Sequence, residues 1–147
     1  MTLKDLYNYV LENNGATFCP LTKELFKPKN GFMVSYHGSE FVLDLDKLTP
    51  AIFIEIVDNH IIMEDEYVGI WINDNKVYFD ISMYHTNIKA AITAGMNENQ
   101  KAIWDFANDK AITLPSNQKS GTTTQQLEYQ KQVVEKMVAS YPECKWY

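Results

Sequence analysis

Few side chains in this 147-residue chain have the types that do chemistry, and they are scattered. Cys19 and Cys144 lie near opposite ends and form no C-x-x-C pair. With His37, His60 and His85 they supply zinc-ligand types without zinc-ligand spacing. The three histidines fall beside a turn, at a helix end and just before a helix cap, where an imidazole needs no metal to account for it. Asp44 and Asp46 project to one side of an expected strand, and Glu64, Asp65 and Glu66 run together between elements. Paired carboxylates bind Mg²⁺ or divide acid and base work between them. A wet sheet face and a charged loop account for these groups equally well. A Cys19–His–Asp nucleophile would have to assemble in space, and no spacing favours it. There is no glycine-rich phosphate loop, no Walker pattern and no G-x-S-x-G. The expectation is a protein with no catalytic residue, no metal and no cofactor.

The elements that would position these side chains follow from periodicity and punctuation. Residues 2–14 read as an amphipathic helix, with Thr2 as N-cap, Asp5 at N3 and Gly15 in the left-handed position at its end. Residues 16–30, with Pro20 and Pro28, read as an irregular crossing. Residues 31–46 read as a hairpin around Gly38-Ser39. Its register pairs Tyr36 with Phe41 and Val34 with Leu43, and puts Asp44 and Asp46 on the wet face. Thr49-Pro50 is a helix start, and a buried helix through about His60 is expected, with a strand as the alternative. A second hairpin spans 67–83. Its turn is Asp74-Asn75, and its pairs run from Asn73–Lys76 through Trp71–Tyr78 and Gly69–Asp80 to Val68–Ile81. A helix over 86–97 capped by Thr86, a strand at 102–106 with a short sequel at 111–114, and a last helix at 124–140 capped by Thr124 complete the reading. The expected fold class is α+β: an antiparallel sheet of two hairpins and a further strand, with four helices. Residues 1–114 would form one domain, 115–124 a polar linker and 125–147 a helical arm.

Composition narrows the function classes. Hydrophobic residues make up 46% and charged residues 22%, ordinary values for a globular domain. The net charge is −6, and it is unevenly spread: residues 1–80 hold thirteen acids and six lysines, whereas residues 81–147 hold six acids and seven lysines. All 13 basic residues are lysine. The missing arginine fork and the acidic balance argue against binding nucleic acid or an anionic membrane. The N-terminal residues lack a signal-peptide pattern, and two unpaired cysteines suit the cytoplasm.

The surface feature that stands out is the outer face of the second hairpin. Trp71, Tyr78 and Asp80 form an aromatic patch with a polar handle beside Gly69, joined by Trp104 if its strand pairs next door. Leu127, Val134, Met137 and Tyr141 line one side of the last helix. They would fold back on the chain's own sheet or pair with a second copy, giving a homodimer. Lys145-Trp146-Tyr147 would be unusual residues to leave wet.

The segments Gly69-Ile-Trp-Ile, Val77-Tyr-Phe-Asp-Ile-Ser82, Ala90-Ala-Ile-Thr-Ala-Gly95 and Gln100-Lys-Ala-Ile-Trp-Asp105 resemble a module of short proteins from phages, prophages and other mobile elements. The resemblance covers about a third of the chain and carries no catalytic residues. It implies a mobile-element origin. The leading expectation is a non-catalytic binding protein that occludes a host protein, an anti-defence inhibitor of the anti-CRISPR type whose partner is a nucleic-acid-binding nuclease. Its contact residues would be Trp71, Tyr78, Asp80 and Trp104, with Asp44, Asp46, Glu64, Asp65 and Glu66 meeting the partner's basic channel. The alternatives are a small-molecule or nucleotide binder with a pocket between helix and sheet lined by Trp71, Tyr78 and Trp104, and a small enzyme using Cys19 or a carboxylate pair.

Overall fold

The computed structural model describes residues 1–60, 63–116 and 121–142. Cys144, Lys145-Trp146-Tyr147 and part of the expected linker lie outside them. The architecture is α+β: the described residues form four α-helices and eight strands joined in antiparallel ladders. No helix among them is long and apolar enough to cross a membrane. The chain divides into two compact units, Met1–Lys27 with Gly38–Met83, and Pro28–His37 with Tyr84–Tyr147.

In the first unit, α1 (Leu3–Asn13) begins with the expected capping box. The Asp5 N–H donates to the Thr2 hydroxyl at 3.1 Å and the Thr2 N–H donates to the Asp5 carboxylate at 2.9 Å. The Thr2 backbone N–H, and after it the Thr2 hydroxyl, hold the Asp5 carboxyl below its ordinary range. The helix ends on Asn14, left-handed at φ 63°, and not on Gly15. Gly15 instead opens β1 (Gly15–Cys19), which turns back as β2 (Glu24–Leu25). The stretch expected to be irregular is therefore a short hairpin. A five-residue strand beside two prolines carries too little periodicity to announce itself.

β5 (Glu66–Asn73) and β6 (Lys76–His85, with Lys76–Met83 in this unit) form the hairpin expected from Asp74-Asn75. The turn residues have φ of 50° and 58°, and all six expected pairs are present. β1 adds to β5, and β4 (Phe41–Asp44) adds to β6, giving the order β2-β1-β5-β6-β4. α2 (Pro50–Asn59) starts as expected, the Ile52 N–H donating to the Thr49 hydroxyl at 3.2 Å with Pro50 in the first turn. α1 and α2 cover one face of the sheet. Leu6, Val10, Phe53 and Val57 pack there on Phe18, Val68, Ile70, Val77 and Phe79. Phe53 is the centre of this core, its ring 5.4 Å from Tyr7 and 5.7 Å from Phe79.

In the second unit, β3 (Phe32–Ser35) pairs with β7 (Ala102–Asp105), and β7 pairs with β8 (Lys110–Thr113). α3 (Ile88–Asn97) and α4 (Thr123–Ala139) cover Phe32, Val34, Ile103 and Ile112. Gly95 on α3 admits this approach: a Cβ there would stand 2.5 Å from Leu114 Cδ1. The caps are Asn87, one residue after the expected Thr86, and Thr122, two residues before the expected Thr124. At Thr122 the reason is a full capping box with Gln125, which Thr124 would not have.

The expected 31–46 hairpin needs correction. Both strands form where the alternation places them, but not with each other. Phe41 lies opposite Phe79 and not Tyr36, and Leu43 lies opposite Val77 and not Val34, while β3 sets Met33 opposite Trp104. Ser39, expected in the turn, bonds to β6: its hydroxyl accepts the Ile81 N–H at 3.1 Å and donates to the Ile81 carbonyl at 3.3 Å. That double bond continues the β4–β6 ladder past the end of β4. Asp46 leaves the strand as well and falls in the 3-10 turn Leu45–Lys47.

The β5–β6 turn is the most sequence-determined joint of the first unit. Asn75→Val, which puts a β-branched residue at positive φ, is expected to lower stability by about 1–2 kcal/mol. Asn75→Gly should keep it within about 0.5 kcal/mol. Urea denaturation checks both.

Candidate functional site

Strand alternation makes the face opposite α1 and α2 the candidate surface. The pairing aligns Gly15, Trp71, Tyr78 and Val42 in one row across four strands. In that row the Trp71 and Tyr78 rings stack with centroids 5.2 Å apart and planes 4° from parallel. Both are half-buried, while Val42 at the end of the row is 40% exposed. A cross-strand aromatic pair of this kind stabilises the ladder and leaves a rigid apolar surface. A second stack joins Phe26 to Tyr67, centroids 4.2 Å apart and planes 18° from parallel. Sequence reading missed Phe26 and Val42, because each depends on a strand neighbour that local pattern did not identify.

The next row holds Thr17, Gly69 and Asp80. Asp80, expected to touch a partner, is 2% exposed. The Ser82 hydroxyl donates to its Oδ1 at 2.7 Å, and Ser82 is itself 2% exposed. Gly69 makes room for that carboxylate, since a Cβ there would lie 2.4 Å from Oδ1. Asp80 is thus a buried structural acid. Trp104 does not join the aromatic row either: its strand lies between β3 and β8, and it belongs to the second unit, where it is 38% exposed. The nucleotide-pocket reading meets the same difficulty in the first unit, because Trp71 and Tyr78 face away from both helices.

At the β5–β6 turn, Asp44, Leu45, Asp46, Asp74, Asn75 and Lys76 line an open concavity of about 520 Å³. Asp44 sits between two lysines, with Lys76 Nζ 3.5 Å from Oδ1 and Lys47 Nζ 3.8 Å from Oδ2. These ion pairs are exposed and worth little to stability. Among the described residues no three His, Cys, Asp or Glu side chains are placed to hold a metal ion. Of the acidic run, Glu64 and Asp65 lie exposed in a tight turn, Asp65 at φ 67°. Glu66 is half-buried and tied back, its carboxylate accepting the Met63 N–H at 2.6 Å.

The histidines are dispersed. His60 caps α2, its Nδ1 2.6 Å from the Ile56 carbonyl oxygen. His37 lies in the turn after β3, and burial pushes the His85 imidazole down. Cys19 is a free, half-buried thiol. Burial pushes it up, but hydrogen bonds from the Thr22 hydroxyl and from the Thr22 and Leu21 amides outweigh that and leave it below the ordinary thiol range. In the second unit, Val134 is buried, and Met137 and Tyr141 pack on the same core. Of the two expectations for this side of α4, folding back within the chain is the one its packing shows; of the four candidates, Leu127 stands exposed, at 61%.

Comparison with protein-family models, with curated proteins and with solved structures finds no match for this chain.

Gly69→Ala is expected to displace the Asp80 carboxylate from Ser82 and cost about 1–3 kcal/mol, read as a lower denaturation midpoint. Alkylation of Cys19 should reach half its maximal rate at a pH below that of an unperturbed thiol, and Thr22→Val should move that midpoint upward. Rates of iodoacetamide labelling across pH measure it.

Proposed function

We propose that this chain is a non-catalytic binding protein that docks on a basic surface of another protein through the outer face of the first unit's sheet. The observation that carries this reading is the Trp71–Tyr78 stack. Two large aromatics lie parallel on the sheet face opposite α1 and α2, in a row that ends on exposed Val42. Rigid aromatics of this kind anchor interfaces at small entropic cost. Asp44, Asp46, Glu64 and Asp65 stand exposed in the same unit, Asp44 in exposed ion pairs with Lys47 and Lys76. Exposed acids in the same unit as an apolar anchor suit a partner rich in lysine and arginine, and they speed encounter with it.

A protein that handles nucleic acid carries such a surface. The resemblance of residues 69–105 to mobile-element proteins favours a host nuclease of a defence system, of the CRISPR-effector kind, as the occluded partner. The cytoplasm is where such a partner would be met. The mechanism would be steric and electrostatic: acidic side chains occupy the channel that phosphates would otherwise fill, while the aromatic pair holds the contact in place.

The test is recovery of a partner from host lysate with the full chain at low and moderate salt, its identification, and a titration of the purified pair. Replacing Trp71 and Tyr78 by alanine together is expected to weaken binding by at least about 2 kcal/mol. Circular dichroism should confirm that the fold survives. Recovery of no nucleic-acid-binding protein, or a partner indifferent to the double substitution, would overturn the proposal.

A further inference from the structure

β4 is the outermost strand of the first unit's sheet on the β6 side, and its outer edge is open. Which of its backbone groups face outward follows from the ladder. Asn73 and Lys76 flank a two-residue turn, so the hydrogen-bonding groups of Lys76 point toward β5. The Leu45 N–H donates to the Asn75 carbonyl at 2.8 Å, which makes Asp44 and Lys76 a non-hydrogen-bonded pair. Alternation then assigns the β4–β6 bonds to Leu43 with Val77 and to Phe41 with Phe79. The N–H and C=O of Val42 point away from β6, as does the N–H of Asp44. By that alternation the Val42 groups take no part in the β4–β6 ladder, and the strand order gives β4 no second neighbour among the described residues. The strand that carries them is unusually apolar for an edge: Phe41 is 46% and Val42 40% exposed. It carries no edge proline or lysine, and its protection rests on its length of four residues and the charge of Asp44.

We propose that β4 receives an extended segment of the partner as an added strand, with an apolar residue beside Val42 and a lysine or arginine beside Asp44. Three features fit that occupant. Two outward groups on Val42 and one on Asp44 supply main-chain bonds. An apolar residue beside Val42 would extend the Gly15–Trp71–Tyr78–Val42 row by one position. Two residues along the same face stands the Asp44 carboxylate, flanked by Lys47 and Lys76 in exposed ion pairs, with Asp46 and Asp74 lining the same concavity. A second copy of this chain is a poorer occupant, because its own edge strand offers Phe41, Val42, Leu43 and Asp44 and no basic residue to set beside Asp44. The inference rests on the reading above that the first unit binds a basic protein, and it names the structural form of the contact.

The experiment uses the full chain as bait for a displayed library of random dodecapeptides. Enriched peptides are expected to alternate apolar residues and to carry lysine or arginine two positions from one of them. Val42→Pro removes the outward N–H without touching a β4–β6 bond, because proline is tolerated on an edge strand whose N–H faces solvent. It should weaken the best peptide by about tenfold or more. Asp44→Lys should abolish the basic preference. Should Val42→Pro disturb the fold, the same question is put to the peptide. N-methylation of alternate amides in one register should cost about tenfold, and in the other register less than about twofold. Failure to enrich any peptide, equal binding to Val42→Pro, or equal tolerance of both methylated registers would overturn strand addition. A partner that ignores Val42→Pro but is lost with the Trp71 and Tyr78 double substitution would leave the binding reading standing and remove this one alone.

Discussion

The β5–β6 ladder is the constraint on which the first unit depends. Its eight pairs are held in one register by a two-residue turn at positive φ. A slip by one residue would carry Val68, Ile70, Val77 and Phe79 out of the core and Trp71 and Tyr78 into it. With the register fixed, one face becomes the floor on which α1 and α2 bury Leu6, Val10, Phe53 and Val57, and the two edges of the ribbon become the places where β1 and β4 attach. The aromatic row, the Gly69–Asp80 contact and the open edge of β4 are then consequences of the same alternation, read on the opposite face.

How much of this was legible from the residues depended on range. Thr2 with Asp5, Thr49 with Pro50, and Asp74 with Asn75 act over two to four positions, and each formed as the local chemistry required. The neighbouring cap errors, Asn14 for Gly15 and Asn87 for Thr86, were shifts between adjacent residues of similar capping ability. The choice of strand partner was another matter. Alternation in 32–35 and 41–44 placed Phe32, Val34 and Leu43 on inward sides, but Met33 is buried as well and Phe41 is 46% exposed. It did not say that β4 would prefer the Val77–Phe79 stretch of β6, or that Ser39 would clamp that preference through Ile81. Apolar alternation is the same for every compatible neighbour, so proximity in sequence was the one available guide, and here it misled.

The candidate site divides along the same line. The placement of Trp71 and Tyr78 needed the hairpin register alone and was readable. The burial of Asp80 was not, because it follows from Ser82 two residues along and from a glycine across the ladder accepting a carboxylate in place of a side chain. Trp104 and Val42 exchanged importance for the reason that β3 and β4 did: the strands that carry them took neighbours far away in the sequence.

The route of the chain through residues 28–37 has a consequence for the molecule's assembly. The segment leaves the first unit after Lys27, lends Phe32 and Val34 to the second unit's core, and returns at Gly38. Neither core is encoded by an uninterrupted stretch of the gene. A ribosome that has released only the first eighty residues has already made β3, but α3, β7 and β8 do not yet exist to receive it. Closure of the second core waits for contacts more than sixty residues apart, such as Met33 with Trp104. Long-range pairing of that kind raises contact order and slows folding. It also makes the order of synthesis the reverse of the order in which that strand finds its place.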